Sequence, residues 1–147
     1  LVITQTLSKA YGLAGIRLGI CYGSTEVISV LNKIKPPYNV NELSQKRALE
    51  RLADTDKISA EIASIIRQRE DLLEVLLHVE FVKKIYPTEA NFILVKVDDA
   101  NKRYAELIAK GIVIRNRTMQ PLCDNCLRLT VGTELENRKL MAVLKQL

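Results

Sequence analysis

The sequence predicts an α/β chain whose C-terminal part is of the α+β kind, and three observations carry that expectation. Short β-rich runs stand near both ends, Leu1-Val2-Ile3-Thr4 and Leu127-Arg128-Leu129-Thr130-Val131. Between Ile58 and Leu76 apolar residues keep an approximate three-to-four residue spacing, that of one helix face. After Glu80, short strand-like segments alternate with helical ones, which predicts a mostly antiparallel sheet with helices on one face.

Residues 1–7 read as a buried strand, with a turn from Lys9 to Gly15, and residues 17–22 as a second short strand ended by Gly23. Together they look like the end of a larger sheet. Ser24 suits the N-cap of a helix whose Val27, Val30, Leu31 and Ile34 share one side. Pro36-Pro37 stops it, because proline lacks the backbone donor and disfavours helix just before itself. A second helix follows from Asn41, with Leu43, Ala48, Leu49 and Leu52 on one side. Asp54-Thr55-Asp56 supplies cap chemistry for a long helix carrying Ile58, Ile62, Ile65, Ile66, Leu72, Leu73 and Leu76, expected to connect two lobes.

Residues 81–86 form a strand closed by Pro87, and residues 91–97 a longer one. A helix starting at 98–100 holds Tyr104, Leu107 and Ile108 inside and stops at Gly111. Residues 112–115 read as a third strand of this part, followed by a polar loop. The strand over 127–131 sets Leu127, Leu129 and Val131 on one face and Arg128 and Thr130 on the other. A final helix spans 134–147. The expected organisation is 1–54, a connecting helix over 55–79, and a small α/β lobe over 80–147.

Composition narrows the function classes. A charge of +5 comes from 22 basic and 17 acidic residues scattered together, which describes solvated helix faces and not a groove for a polyanion. No apolar run reaches membrane-spanning length, and the start has neither basic leader nor cleavage site, so no nucleic-acid or membrane partner is expected. Three cysteines without framework spacing fit a reducing, cytoplasmic compartment. Cys123 and Cys126 are formally C-x-x-C, but the only histidine, His78, has no spacing that ties it to them, so no metal site is expected. A chain opening at Leu1 within a strand is read as part of something longer.

The chemistry-bearing segment is Thr6-Leu7-Ser8-Lys9-Ala10-Tyr11-Gly12-Leu13-Ala14-Gly15-Ile16-Arg17. A lysine at a strand mouth, walled by Ala10, Leu13 and Ala14, is expected to be partly desolvated, which frees the amine to attack carbonyls. Ser8 and Arg17 bracket a phosphate, as hydroxyl donor and forked cation, with Thr6 beside them. An amine that condenses with a carbonyl beside a phosphate cradle describes a pyridoxal-phosphate site. Arg128, inside a strand, is either solvated or an anchor for a carboxylate. Arg115 at a strand end, with Arg117 in the loop that follows, reads by position alone as solvated. Tyr38 sits in a proline kink, Asn91 reads as structural, and His78 as a helix-end histidine.

The segment around Lys9, the string Gly111-Ile112-Val113-Ile114-Arg115-Asn116 and the string Cys126-Leu127-Arg128-Leu129-Thr130-Val131-Gly132-Thr133 resemble, in order, the class I and II aminotransferases. The likeness is greatest to members that act on histidinol phosphate. It covers the whole chain but only the C-terminal part of such an enzyme. It implies the fold-type I pyridoxal-phosphate transferase architecture: 1–54 would end the large cofactor-binding lobe and 80–147 would be the small one. It also implies that Lys9 holds the cofactor and serves as general base, with Thr6, Ser8 and Arg17 on the cofactor phosphate. Arg128 would hold the carboxylate of glutamate or 2-oxoglutarate, and Arg115 the phosphate of histidinol phosphate or imidazole-acetol phosphate. Such enzymes are typically homodimers. They supply an aspartate to the pyridine nitrogen from a segment before residue 1, so these 147 residues alone are expected to be inert. Other readings remain open here: a threonine-phosphate decarboxylase of the same fold or another class I or II aminotransferase, and a non-enzymatic anion-binding or interaction module.

Overall fold

In the computed structural model, which describes residues 1–147, strand β1 (Ile3–Thr6) lies antiparallel to β2 (Gly19–Tyr22). Ile3 stands opposite Tyr22 and Thr6 opposite Gly19. The first strand is exposed along its whole length, contrary to the buried strand expected, because a two-stranded ribbon has no second layer to bury against. Burial begins one residue later: Leu7 and Leu13 close on Ala48, with Tyr11, Ile16, Leu18 and Ile20 packed around them.

Helix α1 (Thr25–Ile34) starts where Ser24 Oγ accepts a hydrogen bond from Val27 N at 3.4 Å, and it ends just before the two prolines. None of its residues is buried, so its apolar stripe lies open in this chain. Helix α2 (Glu42–Ala53) starts at Asn41, whose side chain accepts from Ser44 N at 2.8 Å. Its inward side differs from the one expected: Ser44 and Ala48 are buried and Arg51 nearly so, while Leu43 and Leu49 are 80% and 68% exposed. Positions 44, 48 and 51 follow the i, i+4, i+7 rule, and the small Ser44 and Ala48 let the helix approach a loop backbone closely.

Helix α3 (Thr55–Leu77) runs 23 residues, about 35 Å. The chain divides into two compact units, Leu1–Ile62 and Ala63–Leu147, and the division falls inside this helix.

The second unit holds a four-stranded sheet in the order β3 (Val82–Ile85), β4 (Phe92–Val97), β6 (Cys126–Thr130), β5 (Arg115–Asn116), antiparallel throughout. Along β4, Ile93, Val95 and Val97 are buried in alternation with half-buried residues, the period-two pattern of a sheet with one core face. They meet Leu127 and Leu129 of β6, Leu72 and Leu76 of α3, Leu107 of α4 (Ala100–Ala109), and Leu140 and Leu144 of α5 (Glu134–Leu144). Thr133 and Glu136 form a reciprocal capping box at the start of α5, with Thr133 N donating to Glu136 Oε2 at 2.7 Å. Helix α4 ends in a left-handed turn at Gly111 (φ 75°), where Ile112 N donates to Leu107 O and Gly111 N to Ile108 O, both at 2.9 Å.

That exit also explains a difference from the sequence reading. The third strand, expected over 112–115, pairs only at Arg115–Asn116. The N–H of Ile112 is spent on α4, and residues 112–114 splay from the end of β6, leaving a cavity of about 480 Å³ floored by Ile112, Ile114 and Leu140.

The loop into α4 is tied by Arg103, which donates to Asp98 through Nε (3.0 Å) and Nη2 (2.7 Å) and to Glu106 through Nη1 (2.9 Å). Its guanidinium also lies 4.6 Å from the Phe81 ring centre. The Arg103 fork holds the Asp98 carboxyl well below the usual carboxylate range, despite the opposing effect of burial. A depressed folded pKa stabilises above the unfolded value of about 3.9 and is lost as pH falls through the folded value. Asp98→Asn is therefore expected to destabilise the chain at pH 7, with its difference from the parent shrinking as pH falls below about 4. Urea midpoints measured across that window check the convergence.

Candidate active site

The loop that carries Lys9 is shaped by its own backbone and held by α2. Thr6 Oγ1 accepts from Ser8 N at 3.1 Å, Gly12 N donates to Lys9 O at 2.9 Å, and Leu13 N to Leu7 O at 3.0 Å. Gly12 has φ 67°, a conformation that a side chain would strain. From α2, Arg51 Nε donates to Tyr11 O at 2.9 Å and Ser44 Oγ to Ile16 O at 3.2 Å. The Arg51 guanidinium also pairs with Glu61 and holds its carboxyl below the usual range.

Lys9 itself is exposed, as are Ala10 and Ala14. The wall expected from Ala10, Leu13 and Ala14 is not there, because Leu13 turns away into the cluster with Leu7 and Ala48. Thr6 is exposed and Ser8 half-buried, on the same turn as Lys9. Arg17 does not open a strand as expected. It closes a short 3₁₀ turn (Ala14–Ile16) in the left-handed region, φ 56°, and its Nη1 donates to Ala14 O at 2.9 Å.

In the second unit the strand registers lay out a grid on the sheet face opposite the core. One row reads Lys84, Lys96, Cys126 and, beyond the end of β5, Arg117, whose N–H donates to Cys126 O at 2.8 Å. The next row reads Leu94, Arg128, Arg115. Arg115 and Arg128 are thus directly opposed on one face, where facing residues place their Cβ atoms about 5 Å apart. No acidic side chain pairs with either. The Arg128 guanidinium lies over the Phe92 ring, 4.9 Å from its centre, and its Nε is shielded from solvent with no acceptor. An N–H in that state costs about 1–3 kcal/mol of desolvation unless an acceptor is brought to it.

Of the remaining residues singled out in the sequence, only Cys126 belongs to either group. Tyr38 is 97% exposed with φ 55°, neither packed on a helix nor gathered with other site residues. Asn91 acts through its backbone, its carbonyl accepting from Val131 N at 2.9 Å. His78 is exposed at the end of α3, with Nδ1 2.9 Å from Glu74 O. Cys123 and Cys126 are free thiols joined by a turn, Cys126 N donating to Cys123 O at 3.0 Å, and burial pushes the Cys126 thiol up. No group of three or more His, Cys, Asp or Glu side chains is placed to hold a metal ion, and no helix is long and apolar enough to cross a membrane.

Sequence reasoning missed Arg51, Ser44 and Phe92. The only signal for the first two was the small-small-Arg spacing at 44, 48 and 51, hidden under the more conspicuous leucines of α2. Arg51→Met is expected to cost about 1–3 kcal/mol, since it orphans the Tyr11 carbonyl. Glu61→Gln should cost less, because Glu61 is 46% exposed. Urea denaturation measures both, and faster amide exchange at Gly12 and Leu13 in the Arg51 variant would locate the effect.

The profile of the family described as aminotransferase class I and II matches residues 1–144. The chain is 77% identical over 147 residues to histidinol-phosphate aminotransferase of Flavobacterium johnsoniae, spanning all of this chain and 42% of that relative's length. It superposes with TM-score 0.88 on the crystal structure of histidinol-phosphate aminotransferase from Clostridium acetobutylicum, at 27% identity over 99% of this chain and 45% of the other. L-threonine-O-3-phosphate decarboxylase from Porphyromonas gingivalis gives TM-score 0.83 at 21% identity over 99% of this chain and 46% of the other, a likeness of fold alone. With the profile covering nearly every residue, and the strings around Lys9, Arg115 and Arg128 all inside it, the chain belongs to the class I and II aminotransferases.

Proposed function

We propose that this chain is the C-terminal part of a pyridoxal-phosphate-dependent histidinol-phosphate aminotransferase. The parent would move an amino group between histidinol phosphate and 2-oxoglutarate, giving imidazole-acetol phosphate and glutamate, as a cytoplasmic homodimer in histidine biosynthesis. Residues 1–54 would complete the large lobe, 55–79 link the lobes, and 80–147 form the small lobe. The observation that carries this reading is the direct opposition of Arg115 and Arg128. Like charges facing each other across strands destabilise a sheet, so two unpaired guanidinium groups there make sense as a receptor for two anionic ends.

The donor set of this segment suits the cofactor: an exposed primary amine for an aldehyde, the hydroxyls of Thr6 and Ser8, and, after the 3₁₀ turn, the Arg17 guanidinium for a phosphate. Gly15, within that turn, has open space where a Cβ would stand. When bound, pyridoxal phosphate supplies an electron sink for the bond-breaking at the amino carbon. In this reading the ε-amine of Lys9 would hold the cofactor through its aldehyde, and the same amine would carry the proton to and from the substrate carbon. Ser8, Thr6 and Arg17 anchor the cofactor phosphate. Arg128 orients the carboxylate of 2-oxoglutarate or glutamate through its fork, and Arg115 grips the substrate phosphate.

The chain spans 42% of the relative's length, and we place the rest of the cofactor's contacts outside it. The isolated 147 residues should therefore give no turnover with added cofactor. The test is made on the full-length parent with histidinol phosphate and 2-oxoglutarate. Formation of glutamate supports the proposal. Release of carbon dioxide from an amino-acid phosphate, without glutamate, would replace it with the decarboxylase reading.

A further inference from the structure

We propose that Phe92 is a positioning residue for Arg128, fixing the plane of its guanidinium so that the fork meets a carboxylate edge-on. The inference rests on the assignment of Arg128 to the carboxylate substrate and adds to it a residue chosen on geometry alone.

Phe92 opens β4 and stands directly opposite Thr130, one step diagonal from Arg128 on the same sheet face. Diagonal neighbours on one face lie within reach of aromatic and long side chains. The guanidinium carbon of Arg128 sits 4.9 Å from the Phe92 ring centre, inside the range of a cation–π contact. The shielded Nε of Arg128 finds no acceptor on this chain, so hydrogen bonding within the sheet does not set the guanidinium's rotation at that atom. Its cross-strand neighbours are Leu94, which offers no polar group, and Arg115, which repels it. The flat ring is therefore the feature that orients the cation. Phe92 is half-buried on the face away from the apolar core, so its ring is not a filler of that core.

Arg115 has no such platform: its neighbour across the pair is Arg128 itself. The contact should accordingly be selective for one of the two anionic groups.

The test compares Phe92→Leu and Phe92→Tyr with wild type in the full-length enzyme, measuring KM for 2-oxoglutarate and for histidinol phosphate separately. Calorimetric titration of 2-oxoglutarate into the enzyme adds a readout that does not depend on turnover. Phe92→Leu keeps an apolar side chain but loses the π face, and is expected to raise KM and Kd for 2-oxoglutarate about tenfold. KM for histidinol phosphate should stay within about twofold, and kcat at saturation likewise. Phe92→Tyr restores the face and should restore 2-oxoglutarate affinity. Equal losses for both substrates, no loss for either, or failure of the tyrosine to rescue would each overturn the inference while leaving the aminotransferase reading intact. If wild type itself forms no glutamate, that earlier reading fails, and this one with it.

Discussion

Lys9→Ala in the full-length parent is expected to abolish covalent cofactor attachment and to lower turnover by at least about 10³-fold, because in the proposed function one amine serves as both nucleophile and general base. The fold should register the change only slightly. Lys9 is exposed on its turn, and the burial that shapes the loop comes from Leu7, Leu13 and Ala48. The clamp from Arg51 and Ser44 grips backbone carbonyls of Tyr11 and Ile16, not the lysine side chain. Thermal unfolding within the spread of ordinary surface substitutions, beside the lost activity, is the expected pair of results. A variant that loses activity only because it unfolds would show both effects together.

The second large effect is expected at Arg128. Arg128→Lys keeps the charge but loses the planar fork, and a lysine is a point charge that cannot pair with both oxygens of a carboxylate in one plane. Loss of one charge-assisted hydrogen bond, about 2–3 kcal/mol, corresponds to roughly a hundredfold rise in KM for 2-oxoglutarate. Arg115→Lys should instead weaken the phosphate-bearing substrate. Steady-state kinetics with each substrate varied separately distinguishes the two arginines. Equal effects of both variants on both substrates would show that the pair acts as one undivided patch of charge.

Local chemistry was legible in the sequence where it was decided by neighbours along the chain. Ser24 and Asn41 cap helices as their types require, the Gly111 stop adopts the left-handed turn, and Leu127, Leu129 and Val131 separate from Arg128 and Thr130 by simple alternation. The long stripe of α3 was largely plain: Ile58, Leu72 and Leu76 are buried and Ile62, Ile65 and Leu73 half-buried, while Ile66 is exposed. What failed depended on partners distant in sequence. The inward side of α2 is set by a loop some forty residues earlier, through Arg51 and Tyr11, and hydrophobicity alone pointed to the wrong leucines. The length of β5 is set by how α4 releases the chain at Ile112, which periodicity does not encode.

The candidate site divides in the same way. Lys9, Arg115 and Arg128 could be singled out from their strings, yet the opposition of the two arginines, and the ring of Phe92 beneath one of them, exist only once the strand registers are fixed. The expected wall around Lys9 failed for the same reason. Residues adjacent in sequence sit on a turn, and Leu13 is drawn into a cluster that Ala48 completes from α2.

One position decides the account: the ε-amino group of the ninth residue. Borohydride reduction of the cofactor-loaded full-length protein, followed by proteolysis and peptide mass mapping, should leave a pyridoxyl group on the peptide containing Ser8-Lys9-Ala10 and on no other. A tag on another lysine, or a protein that binds the cofactor without any reducible link, would contradict it.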